Sequence, residues 1–269
     1  MEENKKALIH PKKCPLCGIE TSYLYRVTES EINLETDWYR CQCGIIFQPK
    51  FPGVEKYSEE GYNNTYVNMK EGDKRLVHAA RTYANLLEEL TYGRMMLDVG
   101  FAAPDNMAYF AERGWLTWGI DINPNVLKLP NVYTGNFETA DFTLKDKEGK
   151  VLTYEDNSGG VKREFDLIWM AHVLEHFQDP QQALRKAYDL LGETGVIFIS
   201  TPDIEFINKV GVPNFPHFKG QEHYTLWSEA ALKRELERAG FKVILSRRNF
   251  SSRYQSWWDI HCIAQKNYF

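Results

Sequence analysis

The region after Gly93 alternates short apolar segments with amphipathic segments, and this alternation constrains the fold more than any other feature of the chain. The apolar segments have the length of buried strands, whereas the amphipathic segments repeat apolar residues at the spacing of a helix. Strands separated by helices of this length predict an α/β fold with a parallel sheet covered on both faces. The predicted strands are Met95–Val99, Leu116–Ile120, Val132–Thr134, Phe165–Met170, Gly195–Ser200, Phe241–Arg247 and Trp257–Ala264. The predicted helices are a segment from Asp73 to Leu90, then Asp105–Arg113, Pro124–Leu129, Pro180–Leu191 and Ser228–Ala239.

The composition narrows the functional classes. The 269 residues are 43% hydrophobic and 26% charged, as is typical of a soluble globular chain. The net charge of −5 disfavours binding to nucleic acid through bulk positive charge. The chain has no run of about 18 apolar residues that could span a membrane. Its N-terminus lacks the apolar core of a signal peptide, so we expect a cytoplasmic protein with no membrane partner.

Four of the five cysteines lie close together in a segment with few apolar residues. They form two pairs, Cys14-x-x-Cys17 and Cys41-x-Cys43, and a glycine follows each pair. In a chain without an export signal, such clustering favours a metal site over disulfides. Four thiolates suit a closed, tetrahedral structural site for zinc, with iron as the lesser alternative. Because the second pair is shorter than the common spacing, His10 is an alternative ligand.

Two acidic residues stand where the first two predicted strands end. Asp98 precedes the tight turn at Gly100, and Asp121 closes the next strand. In open parallel sheets, ligands bind at the carboxyl ends of the strands, and an acid about twenty residues beyond a glycine turn accepts hydrogen bonds from ribose hydroxyls. The pattern predicts an adenosine-containing cofactor, although one glycine alone is also typical of any tight strand-to-helix turn.

Four later segments carry a more specific pattern. Residues 165–180 read FDLIWMAHVLEHFQDP, and they are followed by ALRKAYDLL at 183–191, GVIFISTPD at 195–203 and EHYTLWS at 222–228. In their order and spacing, residues 93 to 269 closely resemble the class I S-adenosylmethionine-dependent methyltransferases. This resemblance implies a Rossmann-like seven-stranded methyltransferase sheet with a reversed last strand. It divides the chain into a zinc-ribbon module at 1–53 and a methyltransferase domain at 54–269, whose first residues, with Tyr57, Tyr62 and Tyr66, form a helical lid.

The resemblance also implies roles for individual residues. Asp98 and Gly100 border the methionine part of the cofactor, and Asp121 holds its ribose. The other implied cofactor contacts are Ile122 on adenine, Asn136 and Phe137 at the base edge, and Ala171 and His172 beside the sulfonium. The chain departs from the family pattern at Ala102 and Pro104, where the family usually has glycine.

The N-terminal cysteines joined to such a domain resemble the zinc-containing sugar methyltransferases, which include C-methyltransferases of nucleotide-linked deoxysugars. In that group a Glu-His pair is linked to deprotonation of the acceptor, and Glu222 and His223 are the matching residues here. Histidine is the natural base near neutral pH. We favour His223, assisted by Glu222, with His172 as the second choice; His176 and His217 are further candidates.

His172, Glu175 and His176 also satisfy the H-x-x-E-H pattern of a class of zinc proteases. That interpretation requires both histidines on one face of a helix. Since His172 directly follows a predicted buried strand, we rank the protease well below the methyltransferase.

The sequence therefore predicts a methyltransferase that uses S-adenosylmethionine and structural zinc, and that acts on a small-molecule or glycan acceptor. A sugar or glycoconjugate hydroxyl is the favoured target, with carbon as the alternative atom. Two other hypotheses are a catalytically inactive protein that binds the cofactor or docks a partner, and a nucleic-acid methyltransferase. The acidic net charge disfavours the last one. Nothing in the sequence determines the oligomeric state.

Overall fold

The computed structural model describes residues 12–29, 33–53, 78–124, 131–140, 164–251 and 257–267. The described strands are β1 (Ser22–Glu29), β2 (Leu34–Arg40), β3 (Ile45–Phe47), β4 (Met95–Val99), β5 (Leu116–Asp121), β6 (Val132–Thr134), β7 (Phe165–Ala171), β8 (Leu191–Pro202), β9 (Thr225–Trp227), β10 (Phe241–Ser251) and β11 (Trp257–Lys266). The described α-helices are α1 (His78–Leu90), α2 (Asp105–Glu112), α3 (Pro180–Leu190), α4 (Ile207–Val210) and α5 (Glu229–Arg238). Among the described residues, short 3-10 helices occur at Leu174–His176, Ile204–Phe206 and Val212–Asn214.

The main sheet has seven strands in the order β10-β11-β8-β7-β4-β5-β6. Five neighbouring strands run parallel to one another: β6, β5, β4, β7 and β8. Strand β11 is antiparallel to both β8 and β10. This order and the reversed last strand confirm the predicted fold. The strand order reverses between β4 and β7, so the carboxyl ends of these two strands border the crevice in which such sheets bind ligands.

Helices cover both faces of the sheet because the central strands are apolar on both sides. On one face, Tyr83 of α1 lies 5.4 Å from the ring of Phe198, which in turn stacks on Trp169 at 3.8 Å between ring centroids. On the other face, the starts of α3 and α5 are capped by side chains. Asp179 accepts a hydrogen bond from the Gln182 backbone N–H at 2.9 Å, and Ser228 accepts one from the Ala231 N–H at 3.2 Å.

The N-terminal cysteine segment forms part of a second, four-stranded sheet in the order β1-β2-β3-β9. Strand β9 comes from residues far along the chain, and it pairs antiparallel with β3. The two segments therefore share one sheet, which connects residues 12–53 to the later part of the chain.

Gln48, directly after β3, strengthens this connection. Its side-chain amide, which is buried, donates hydrogen bonds to the backbone oxygens of Gly220 at 2.7 Å and His223 at 2.6 Å. Glu29 of β1 accepts a further bond from the Gly220 N–H at 2.7 Å. The cysteine segment thus holds the loop that carries the predicted base His223.

Several predictions lie wholly or mainly outside the described residues. These are His10, the helix at 124–129, most of the polar segment at 139–164, and the three tyrosines Tyr57, Tyr62 and Tyr66. Within the part of the chain that is described, no helix has both the length and the hydropathy needed to cross a bilayer.

Candidate functional site

The predicted cofactor carboxylates lie together at the carboxyl ends of β4 and β5. Asp98 is buried on β4, and burial, followed by the charge of Asp121, raises its pKa well above the usual value. Its Oδ2 atom is buried and accepts no hydrogen bond from any of the described residues. A buried carboxyl oxygen without a donor is a costly arrangement that a cationic ligand would relieve.

Asp121 closes β5 and faces the loop that follows β4. Its Oδ2 accepts a hydrogen bond from the Ala102 N–H at 3.0 Å, and its Oδ1 accepts one from the Asn123 N–H at 2.8 Å. Burial raises the pKa of Asp121, and these backbone donors oppose that effect. The carboxylate therefore joins the two strand-end loops, and ribose hydroxyls would bind to it as additional donors.

The turn at Gly100 packs closely against Val173. Gly100 has φ +66°, and a Cβ atom there would lie 2.7 Å from Cγ2 of Val173. Ala102, in the same loop, also has a positive φ of +46°, although it is not a glycine. The family usually has glycine at this position. This left-handed conformation is unfavourable for alanine because of its Cβ atom, whereas glycine adopts it without that cost in free energy.

The remaining predicted cofactor residues occupy different surroundings. Ile122 follows β5 and is half-buried. Phe137 is buried and packs on Phe177, with 5.9 Å between ring centroids, so it contacts the core. Asn136 accepts a hydrogen bond from the Glu138 N–H at 2.8 Å and borders a polar cavity of about 490 Å³ that extends to Tyr224. Contact of these residues with the cofactor base stays a prediction.

His172 directly follows β7 and lies beside Ala171, as the resemblance implies. Its backbone has φ +55°, which is rare for a residue with a side chain and is typical of strained functional positions. Its two ring nitrogens lie 3.4 Å from Glu175 Oε1 and 3.4 Å from Asp259 Oδ2. Although desolvation works against the charge, Asp259 and Glu175 raise the pKa of His172 well above 6.5. An imidazolium cannot accept a proton, so this position is a poor general base at neutral pH.

His223, the favoured base, is buried next to two other histidines. The ring centroids of His176 and His223 are 4.9 Å apart, and those of His217 and His223 are 6.0 Å apart. Burial, followed by the charge of His176, lowers the pKa of His223 well below 6.5, so its ring is neutral at physiological pH. A neutral ring in this cluster is able to accept a proton.

Glu222 contributes to the cluster differently from what the sequence suggested. Its carboxylate lies 3.4 Å from Nζ of Lys219, and its backbone oxygen accepts a hydrogen bond from Nδ1 of His176 at 2.9 Å. The hydrogen bond that orients His223 runs instead from its Nδ1 to the backbone oxygen of His217, at 2.8 Å. The orienting group is thus a main-chain carbonyl, and the assisting role of the Glu222 side chain stays a prediction.

The four N-terminal cysteines converge at one point. Their sulfur atoms lie within 4.8 Å of one another, with 3.6 Å between Cys14 and Cys43 and 3.4 Å between Cys17 and Cys41. Sulfurs bound tetrahedrally at about 2.3 Å from zinc would be about 3.8 Å apart. A hydrogen bond from the Cys43 thiol lowers the pKa of Cys14 to about 5, so one thiolate is already favoured. Cys262, by contrast, is buried in the last strand, as expected for a core residue.

The backbone excludes the zinc-protease interpretation of the H-x-x-E-H pattern. Leu174–His176 is a single turn of 3-10 helix, and His172 precedes it in the left-handed conformation. The two histidines therefore do not lie on one face of an α-helix, as that pattern requires.

The sequence did not reveal several residues of the site. Asp259 and Thr201 reach it because β11 pairs antiparallel with β8, a register that no local pattern encodes. Thr201 donates a hydrogen bond to Oε2 of the fully buried Glu175 at 2.9 Å. The only signal for Glu175 itself was its place three residues after His172.

We predict that Ala102→Gly raises the free energy of unfolding by about 1 kcal/mol, because glycine adopts positive φ without steric cost. Urea denaturation measures the change. The matched control is Ala108→Gly on the exposed side of α2, which removes the same methyl group from a helix interior and should lower stability by about 1 kcal/mol. An equal loss of unfolding free energy in both variants would show that Ala102 is not strained.

Comparisons with known proteins agree with this architecture. The methyltransferase domain family matches residues 73–246, more than half of the chain. The ubiquinone biosynthesis O-methyltransferase of Pseudomonas entomophila is 28% identical over 109 residues, which are 40% of this chain and 44% of that protein. A tRNA U34 carboxymethyltransferase of Campylobacter jejuni is 38% identical over 95 residues, 35% of this chain and 32% of that protein. The chain thus spans less than half the length of these relatives.

Among solved structures, a Burkholderia thailandensis 1,6-didemethyltoxoflavin-N1-methyltransferase with bound S-adenosylhomocysteine has a TM-score of 0.55. It is 15% identical, and the alignment covers 86% of this chain and 99% of that chain, so it supports the fold. Together, the sheet, the strand-end crevice and the family match confirm the prediction of a methyltransferase domain. The chain belongs to the methyltransferase domain family.

Proposed function

We propose that this chain transfers a methyl group from S-adenosylmethionine to a hydroxyl group of a small molecule, with a sugar or glycoconjugate as the favoured acceptor and carbon as the alternative target atom. One observation carries the proposal: a buried acidic pair and a cluster of histidines flank the ends of neighbouring strands. Asp98 and Asp121 lie at the ends of β4 and β5, and His172 leads from the end of β7 into the 3-10 helix that carries His176.

The residues present fit the cofactor. The buried Oδ2 of Asp98, to which no described residue donates a hydrogen bond, suits the ammonium group of the methionine moiety. Asp121 has the strand-end position of a ribose-binding acid. When bound, the cofactor supplies an activated methyl group, so the protein needs to position the acceptor and remove a proton.

The histidine cluster supplies the second requirement. His223 is neutral and buried, with its Nδ1 proton donated to a carbonyl, so its Nε2 is the atom that carries a lone pair. His172 is held as a cation by two carboxylates, which favours His223 over His172 for removal of the acceptor proton.

The proposed acceptor class comes from the resemblance and from the net charge, and not from the geometry of the site. The resemblance to zinc-containing sugar methyltransferases supports a sugar hydroxyl, and one curated relative is an O-methyltransferase. The similarity to tRNA U34 carboxymethyltransferases runs against our expectation that nucleic acid is not a partner. The net charge of −5 still favours a small molecule.

We also propose that Cys14, Cys17, Cys41 and Cys43 hold a structural zinc ion. Support comes from the sulfur separations, which are close to those of a tetrahedral thiolate site. Through β3 and Gln48, the ion would stabilise the loop that positions His223.

Asp121→Asn should weaken binding of S-adenosylhomocysteine at least about 10-fold, because a charge-assisted hydrogen bond contributes about 1.5–3 kcal/mol. Isothermal calorimetry measures the affinity. The control is Asp166→Asn, which alters a half-buried carboxylate at the opposite end of β4. Like Asp121, this carboxylate accepts a backbone hydrogen bond, here from the Met95 N–H at 2.8 Å. Unchanged affinity in Asp121→Asn would refute the ribose assignment.

His223→Ala should reduce methyl transfer at least about 100-fold while leaving S-adenosylhomocysteine affinity unchanged, because it removes the proton acceptor but not the cofactor site. Transfer is measured with labelled S-adenosylmethionine and three acceptor pools: nucleotide sugars and glycoconjugates, small phenols, and bulk tRNA. The exposed His78 of α1 provides the control variant His78→Ala.

Three outcomes would contradict parts of this proposal. Label found in tRNA alone would show that the acceptor is a nucleic acid and not a small molecule. Cofactor binding without transfer to any pool would favour a catalytically inactive protein. Normal transfer by His223→Ala would move the base role to His172.

The double variant Cys14→Ser/Cys17→Ser should lose one zinc ion per chain and expose the β2 and β3 amides to hydrogen exchange, because two of four ligands are removed. Plasma mass spectrometry measures the metal. Cys262→Ser, which alters a buried cysteine outside this cluster, should retain the wild-type zinc content. Equal zinc in all three proteins would overturn the site.

A further inference from the structure

A second group of possible metal ligands lies outside the cysteine cluster, in the histidine cluster of the proposed active site. Glu175, His176 and His223 each place one ligand atom within 4.8 Å of the others. Metal–ligand distances of about 2.1 Å correspond to ligand separations of about 3 to 3.5 Å, which lie within this limit.

Both imidazoles are oriented as metal ligands usually are. Nδ1 of His176 lies 2.9 Å from the Glu222 backbone oxygen, and Nδ1 of His223 lies 2.8 Å from the His217 backbone oxygen. A carbonyl oxygen only accepts hydrogen bonds, so each Nδ1 carries the proton and each Nε2 carries the lone pair. Histidines that bind metals characteristically donate their other ring N–H to a carbonyl or carboxylate in this way.

The carboxylate of Glu175 is the third possible ligand. Glu175 is 0% exposed, and its Oε2 accepts a hydrogen bond from Thr201. Its Oε1 faces Nδ1 of the cationic His172 at 3.4 Å, which is long for a hydrogen bond. A metal cation bound directly to Oε1 would offset more of the desolvation penalty of this buried carboxylate than the distant imidazolium does.

We propose that Glu175, His176 and His223 bind one divalent transition-metal cation, separate from the ion held by the four cysteines. Two imidazoles and one carboxylate suit manganese, iron, cobalt or zinc, and they leave coordination positions open for another ligand. Glu175 lies next to His172, at the end of β7, so the open positions are close to the proposed methyl-transfer site.

The role of this cation rests on the proposed function. A hydroxyl bound to a dication ionises at lower pH than a free one. Its proton leaves to solvent water, its oxygen forms a bond to the methyl carbon, and the electron pair of the breaking C–S bond stays on sulfur. A nitrogen lone pair that binds the cation cannot also take a proton. Where the cation is bound, this role therefore replaces the base role that the proposed function gives to His223: His223 acts as a ligand, and the cation promotes loss of the acceptor proton.

The test uses the full-length protein with its cysteine site intact, washed with EDTA and titrated with Mn²⁺. Manganese is chosen because nitrogen and oxygen ligands accept it, whereas four thiolates select zinc. Electron paramagnetic resonance measures the concentration of free Mn²⁺, and the difference from the total gives the amount bound. We expect one Mn²⁺ bound per chain. The affinity should fall at least about 10-fold in His223→Gln and in Glu175→Gln, which keeps the acceptor for Thr201, and should stay unchanged in His78→Gln.

Three results would overturn the proposal: no saturable binding in the wild type, affinities unchanged in both site variants, or an equal loss in His78→Gln. If Glu175→Gln does not fold, His223→Gln and the wild-type titration still decide the matter. S-adenosylhomocysteine binding in the same samples separates this proposal from the proposed function. Cofactor binding without Mn²⁺ binding removes only the metal site, and Mn²⁺ binding without cofactor binding removes only the proposed function.

Discussion

The antiparallel pairing of β3 with β9 is the interaction on which the arrangement of the site depends. It joins the cysteine segment to the chain just after His223, and the buried amide of Gln48 completes the connection by bonding to the Gly220 and His223 carbonyls. Since Nδ1 of His223 bonds to the His217 oxygen in the same loop, an unanchored loop would lose the orientation of that ring. The small sheet therefore acts as a support for the histidine cluster.

The electrostatics of the crevice follow from its position at the sheet edge. Parallel strands bring their carboxyl ends together, so acids and histidines distant in sequence meet in a poorly solvated space. Burial raises the pKa of Asp98, whereas Asp259 and Glu175 keep His172 cationic and His223 stays neutral. The acidic pair suits a cationic cofactor, and the neutral ring suits a proton or a metal ion. Two residues with positive φ, Ala102 and His172, border the same crevice, where strain is typical of binding sites.

Much of the fold was predictable because burial on two faces leaves a strong local signal. Apolar runs located β4 and β6 to the residue, and the predicted helices Pro180–Leu191 and Ser228–Ala239 correspond to α3 and α5. The positions of Asp98 and Asp121 at strand ends were predictable for the same reason. The link between β3 and β9 was not, because β9 has only three residues and its partner lies nearly 180 positions earlier.

By itself, the sequence determined the strand and helix order, the methyltransferase domain and the grouping of the four cysteines, since each depends on local spacing or on residue types close along the chain. Only the tertiary structure decided which side chains complete the site. It placed Asp259 beside His172 and Thr201 beside Glu175. It also showed that a backbone carbonyl orients the ring of His223, and it brought Glu175, His176 and His223 together. These contacts depend on strand register and loop packing, which arise from interactions between distant residues and leave no periodic pattern in the chain.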